Sequence, residues 1–335
     1  MVLCLGWLGV DYGLFPVRMP AMNCYPLILR PIYKERIWGG QKLKSFFGKD
    51  IPDGEKIGES WELADLPNDK SLVANGELAG RSLNELIKQF PEEMTGDKGF
   101  KLPFPLLFKL LDAQDVLSVQ VHPDQETCEK MGAGEPKTEC WYVIDAAQGA
   151  VIYKGLKAGV TKKMFKKAIE KGTTDELLNK IEVEAEQCHF LPAGTVHAIG
   201  AGLLIAEIQM SSDTTYRVFY WNRVDENGNG RQLHIEESLE SIHFGQEDDL
   251  TATNVGRLVD CEFFKADKGH RVAGNEVLLS PGKMKMIMII TGNGDFTAVD
   301  GNVVEFSAGQ TIFLPACYEG VMFCKNDCQY LTVTI

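Results

Sequence analysis

A chain of 335 residues, 44% hydrophobic and 24% charged, is long enough for two domains or for one large β domain with additions. Its net charge of −13 argues against a nucleic-acid surface, which gains from clustered Lys and Arg, but leaves room for a small anion in a local cationic pocket. Nine cysteines, an odd number with no CxxC pair, do not make a secreted disulfide framework, so reduced thiols in a cytoplasmic protein are expected.

The opening segment, MVLCLGWLGVDYGLFPVRMPAM, is apolar but interrupted by Asp11 and Pro16. It lacks the basic start of a signal peptide and is too short to span a bilayer. Met22 opens a sequence that reads as a normal start, so residues 1–22 are expected to be an N-terminal extension or the product of a misassigned start, and no later segment approaches transmembrane length. PLILRPIYKERI at 26–37 and IGESWELADL at 57–66 read as strands. SLNELIKQF at 82–90 has a Ser cap and helical apolar spacing. Residues 101–121 are β-like apolar runs. TKKMFKKAIEKG at 161–172 reads as a helix from Thr161 to Gly172, with its lysines as a solvated face and a second short helix, TTDELLNK, behind it. Short strands with Gly and Asn turns follow, then a short helix near 236–242 and an acidic boundary at 246–249.

HFLPAGTVHAIG at 189–200 is echoed by IFLPACYEGVMF at 312–323. Two copies of one β unit, with helices mainly in the first, predict a mainly β protein built of two related β-barrels. The expected division is 1–22 as extension, 23–245 as the first unit and 250–335 as the second. Where the first copy has His197 the second has Gly320, so any metal is expected in the first only.

Residues 119–142 carry the chemistry: VQVHPDQETCEKMGAGEPKTECWY. Read as a strand, a Gly-rich turn and an adjacent strand, they put Gln120 with His122 on one face and Lys137 with Glu139 on the next. His122, Glu139 and His197 then supply two imidazoles and a carboxylate, a ligand set of catalytic zinc with a position left open. Gln120 is placed to add a neutral fourth ligand. The same N/O set suits Mn²⁺, Co²⁺ or Fe²⁺, with Zn²⁺ preferred. Pro192 and Gly194 set the turn that presents His197. His234, His243 and His270 read as structural, and Trp38, Trp61 and Trp141 as packing.

These residues resemble the cupin superfamily and, more narrowly, the short bacterial form of type I mannose-6-phosphate isomerase. The resemblance runs from about residue 27 to the C-terminus. It rests on PIYKERIWGG at 31–40, IGESWE at 57–62, FPLLFKLLDAQDVLSVQVHPD at 104–124, PKTECWY at 136–142, LPAGTVHAIGAGLLIAEIQ at 191–209 and SSDTTYRVFYWNR at 211–223. It implies cupin-like jelly-roll barrels and reversible interconversion of mannose 6-phosphate and fructose 6-phosphate. It carries metal ligation onto His122, Glu139, His197 and Gln120, and places the family's catalytic arginine at Arg217 and the lysine preceding the glutamate ligand at Lys137. Glu186-Gln187-Cys188 departs from the Gly-Asp turn usual there.

An aldose–ketose isomerase moves a proton between C1 and C2, and the charge developing on the adjacent oxygens needs preorganised cations. Arg217 suits that electrostatic role because it never loses its proton; Lys137 is the candidate for proton transfer. Lys109, Ser60 and Arg223 are candidates for the 6-phosphate, and Lys109 stands out because an unpaired ammonium in an apolar strand is costly. The expected partner is a small sugar phosphate, with no nucleic acid or membrane, for a monomer or homodimer. Two other readings fit the same residues: a different metal-dependent cupin enzyme, such as an iron oxygenase, and a non-catalytic sugar-phosphate-binding cupin.

Overall fold

A computed structural model of the chain describes residues 22–223 and 230–335. All of the opening segment except Met22, and residues 224–229, lie outside them. Among the described residues, twenty-one short strands form four antiparallel sheets, and no sheet closes on itself. The protein is mainly β, and no described helix is long and apolar enough to cross a membrane.

The first half builds a six-stranded sheet in the order Ile32–Gly40, Ile57–Leu63, Leu106–Ala113, Leu203–Met210, Glu139–Ala146, Cys188–Leu191. Facing it is a five-stranded sheet in the order Tyr216–Phe219, Val119–Val121, His197–Ile199, Val151–Leu156, Leu178–Glu182. Trp141, Val143 and Leu111 from the larger sheet pack on Ile152 and Ile199 of the smaller, and alternation along each strand sets which residues enter this interior. The second half repeats the plan with a six-stranded sheet around Lys285–Thr291 and a four-stranded sheet around Asn293–Ala298. The two six-stranded sheets lie back to back: Phe108, Tyr142 and Ile208 share the largest apolar cluster with Met286, Phe313 and Leu331.

Local signals account for the helices. Leu83–Gln89 opens on a complete Ser82/Glu85 capping box. Lys162–Lys171 is capped by Thr161 and closed by Gly172 at φ 68°, and its exposed lysines meet the helix Ile235–Ser241, Lys162 with Glu240 and Lys166 with Glu236.

Four expectations change. The run at 26–37 is two strands, and the first, Leu27–Ile28, pairs with Thr311–Leu314 in the other half, beyond the reach of any local pattern. TTDELLNK is a single 3₁₀ turn, Thr174–Leu177, after which Leu178–Glu182 pairs as a strand. Residues 119–142 are not a hairpin. Asp124 caps a helix, Gln125–Met131, that carries the chain from the five-stranded sheet to the six-stranded one, so the two polar faces meet across the sandwich. Finally, Cys24 is disulfide-bonded to Cys317, brought to a Cα separation of 5.9 Å by the neighbouring strand pairing, while the other six described cysteines are free.

Candidate metal centre

Register places the polar side chains side by side. Gln120 is the cross-strand partner of His197 on one side and of Arg217 on the other. Glu139 approaches from the facing sheet. The turn before His197 needs Gly194, whose φ is 85° and where any Cβ would collide with the His243 ring. The Gly194 amide donates to the His122 carbonyl at 2.9 Å, so this turn ties the two histidine-bearing elements together.

Nε2 of His122 lies 3.5 Å from Oε2 of Glu139, and Nε2 of His197 lies 3.4 Å from its Oε1. One ligand atom from each of the three residues falls within 4.8 Å of the others, and all three side chains are buried. Each imidazole donates Nδ1–H to a backbone carbonyl, His122 to Thr214 at 2.8 Å and His197 to Thr195 at 2.9 Å. Those bonds fix the tautomer and leave the Nε2 lone pairs aimed at the centre. His122 Nε2 and Glu139 Oε1 have no hydrogen-bond partner. Buried polar atoms left in this way are costly, and a cation among them satisfies all at once.

Electrostatics points the same way. Burial, then the charges of Lys137 and His197, push the His122 pKa well below the ordinary histidine value; burial also lowers His197, against the pull of Glu139. Burial alone would raise the Glu139 carboxyl, but Lys137 and His197 overturn that and hold it low. Two neutral imidazoles and a carboxylate are the state in which every inward atom offers a lone pair to a metal. The residues therefore fit a divalent cation. Gln120 Nε2 donates to His197 Nε2 at 3.2 Å, and rotating the amide by a half-turn presents its oxygen instead.

A cavity of about 270 Å³ lies beside this group, lined by Gln120, which bonds His197, and by Lys137, which bonds Glu139. That is just below the roughly 300–1,000 Å³ of drug-sized pockets and suits a small polar ligand. Of the charged residues that line it, Lys109, Lys137 and Glu207 are buried, Arg36 and Arg217 half-buried, and Asp213 and Arg231 exposed. Five cations face three carboxylates there, in a chain whose net charge is −13. A larger cleft of about 600 Å³ between residues 157–162 and 244–248 carries no such group.

The structure brings His122, Glu139, His197, Gln120, Lys137, Arg217 and Lys109 to this one place and leaves two expected residues out of it. Lys137 Nζ is 2.8 Å from Glu139 Oε2. His234 braces Arg217 at both backbone atoms, its amide donating to the Arg217 carbonyl at 2.8 Å and its Nδ1 accepting from the Arg217 amide at 3.3 Å. Lys109 is paired with Glu207 at 3.1 Å. Burial would lower its pKa, but Glu207, Glu59 and Glu139 push it up to about 12. Ser60 lies away from the cavity: alternation turns it to the opposite face of its strand, where it donates to Glu62 at 2.5 Å. Arg223 does not line the cavity either, its guanidinium being held by Asp115 at 2.8 Å and the Val116 carbonyl at 3.0 Å.

Sequence reasoning missed Arg36, Glu59, Glu207, Asp213 and Arg231. Glu207 had a usable signal: a lone carboxylate in LLIAEIQM is as costly to bury unpaired as Lys109 in LLFKLLD, and the two are cross-strand partners. Trp141 and Trp61 pack as expected, and each also donates to a cavity carboxylate, Glu207 at 3.0 Å and Glu59 at 2.7 Å.

A mainly β scaffold with a buried two-imidazole, one-carboxylate group beside a polar cavity defines the class of β-fold metalloenzymes. Residues 27–151 match the phosphomannose isomerase type I catalytic domain. The chain is 38% identical over 309 residues to the mannose-6-phosphate isomerase ManA of Bacillus subtilis (strain 168), covering 88% of this chain and 94% of the relative. It is 39% identical over 279 residues to the mannose-6-phosphate isomerase of Streptococcus mutans, covering 81% and 87%. The crystal structure of the mannose 6-phosphate isomerase from Bacillus subtilis superposes with a TM-score of 0.82 at 32% identity, covering 92% of this chain and 99% of that one. The chain belongs to the type I mannose-6-phosphate isomerase family.

Proposed function

We propose that this chain interconverts mannose 6-phosphate and fructose 6-phosphate through an enediol, with one zinc ion held by Gln120, His122, Glu139 and His197. The single observation that carries this reading is the unpartnered, inward-facing set of His122 Nε2 and Glu139 Oε1 beside a cavity rich in cations. When bound, the ion supplies Lewis-acid polarisation of the sugar's oxygens.

The protein's own residues do the rest. Arg217, beside Gln120 in register, is a fixed cation next to the oxygens on C1 and C2, where negative charge develops. Lys137 Nζ is the group placed to move the proton, because it lies on the cavity wall and within 2.8 Å of Glu139. Glu207 and Glu59 hold Lys109 charged, so its role is to set the field among the buried charges. Buried Trp38, Trp61 and Trp141 flank the site and limit water there.

We also read the two sandwiches as two cupin-like jelly-roll barrels, residues 23–245 with the metal and 250–335 without, after an extension at 1–22. The shared Phe-Leu-Pro-Ala turns support that division, and the strand Leu27–Ile28 laces the units together. The enzyme acts in the cytoplasm as a monomer or homodimer.

The test is a coupled assay on mannose 6-phosphate before chelation, after it, and after zinc is restored. Activity disappears with the metal and returns with it. Turnover that persists in metal-free protein, or metal-loaded protein that leaves mannose 6-phosphate untouched, overturns the reading.

A further inference from the structure

Resting on the isomerase reading, the geometry points to Arg36 and Arg231 as the seat of the substrate's 6-phosphate, with Arg217 left to the oxygens on C1 and C2. Three guanidiniums line one cavity, and they are close enough to feel one another. After burial itself, Arg231 and Arg36 both act to lower the pKa of Arg217, while Asp213 and Glu59 only partly offset them. Converging like charges are costly without an anion between them.

One of the three is held ready. Glu59 Oε1 accepts from Arg36 Nε at 2.8 Å, and the Glu35 carbonyl accepts from its Nη1 at 3.0 Å. Glu59 is fixed in turn by the Trp61 indole. A planar fork oriented before the ligand arrives is the form of arginine that binds phosphate oxygens bidentately.

The other candidate cations are also paired, Lys109 with Glu207, Lys137 with Glu139 and Arg223 with Asp115, but Arg223 lies outside the cavity lining, and Arg36 keeps its Nη2 outside the bonds to Glu59 and Glu35. Burial agrees. Arg231 is exposed and Arg36 half-buried, so a dianion there keeps part of its hydration, whereas the metal group is buried, where water must be excluded. A sugar phosphate laid along the cavity puts C1 and C2 by the metal group and the phosphate by Arg36 and Arg231.

Arg36→Gln and Arg231→Gln test this, with Arg223→Gln as control. The first two raise KM for mannose 6-phosphate by about 10- to 100-fold each, the loss expected of a charge-assisted contact, so that kcat/KM falls mainly through KM. Inhibition by inorganic phosphate weakens in parallel, bound zinc stays at the parent level, and Arg223→Gln keeps the parent KM. Calorimetric titration of the metal-loaded protein with inorganic phosphate gives a reading independent of turnover. If the parent turns over mannose 6-phosphate but neither variant changes KM or phosphate affinity, the seat lies elsewhere while the isomerase reading stands. If the parent shows no turnover yet binds inorganic phosphate through these arginines, the seat stands and the isomerase reading falls.

Discussion

Phe190-Leu191-Pro192-Ala193 and Phe313-Leu314-Pro315-Ala316 each end a strand and start a turn, and seven residues after each Phe stands the position that separates the two halves. In the first sandwich it is His197. In the second it is Gly320, and any Cβ there would collide with the Thr297 carbonyl and the Tyr318 hydroxyl. The contrast extends through both interiors. Phe296, Phe306, Ile312, Met322 and Tyr330 fill the second with apolar volume. The first keeps an apolar cluster but also buries Lys109, Lys137, Lys154, Glu139, Glu207 and three histidines. A charged interior is tolerated where opposite charges meet, as in Lys109–Glu207 at 3.1 Å and Lys137–Glu139 at 2.8 Å. Both halves bury apolar clusters, but among the described residues only the first buries charged groups and the chemistry they carry.

The sharpest way to break that division is Phe296→Ala. Phe296 is fully buried among aromatic neighbours, with the Phe306 ring centroid at 5.0 Å, so its loss should cost about 3–5 kcal/mol of stability by denaturant unfolding. Bound metal and kcat/KM at 25 °C should stay at the parent level. A collapse of activity in still-folded protein would mean that the second sandwich shapes the site. Arg217→Ala is the converse. Loss of a preorganised cation beside the developing charge should lower kcat by about 10²–10³, while metal content and unfolding midpoint hold. Arg217 is half-buried and its backbone is braced by His234 whatever the side chain. Preserved turnover would remove it from the chemistry.

How much of this could be read in advance follows the same divide. The QVH, KTE and PAGTVH segments named the members of the metal group, because each residue type has few reasons to face an apolar interior. What they could not give was the way the members meet. A helix capped by Asp124 separates the first two across facing sheets, and that depends on long-range pairing. Ser60 lies away from the cavity for a nearer reason: strict alternation in IGESWEL sets Glu59 and Trp61 against Ser60 and Glu62, and which pair faces the cavity is decided by register with Leu106–Ala113. Arg223 and Arg231 are both arginines of one short sequence segment, and only tertiary contacts reveal that Asp115 holds the first. Leu27–Ile28 joins the distant half for the same reason, since edge pairing leaves no mark in the strand's own pattern.

The smallest effect tests whether the first interior really is the drier, costlier one. His189 is 1% exposed, has no hydrogen-bond partner on either ring nitrogen, and feels the charge of buried Lys154. Burial first, then Lys154, push its pKa down to about 4. The unfolded chain takes up this proton near the ordinary value of about 6.5, and the folded protein takes it up only near 4. Between those values the unfolded state binds more protons, so the contribution is complete above about 6.5 and is lost as pH falls through 4, up to about 3 kcal/mol. His189→Leu gives this position the apolar character of the second sandwich and removes the term. Urea unfolding of parent and variant at pH 7.5 and pH 4.5, both chelated so that His122 and His197 titrate alike, should show the parent losing more stability on acidification. Parallel losses would mean that water reaches His189, and the contrast between the two interiors would then rest on the paired charges alone.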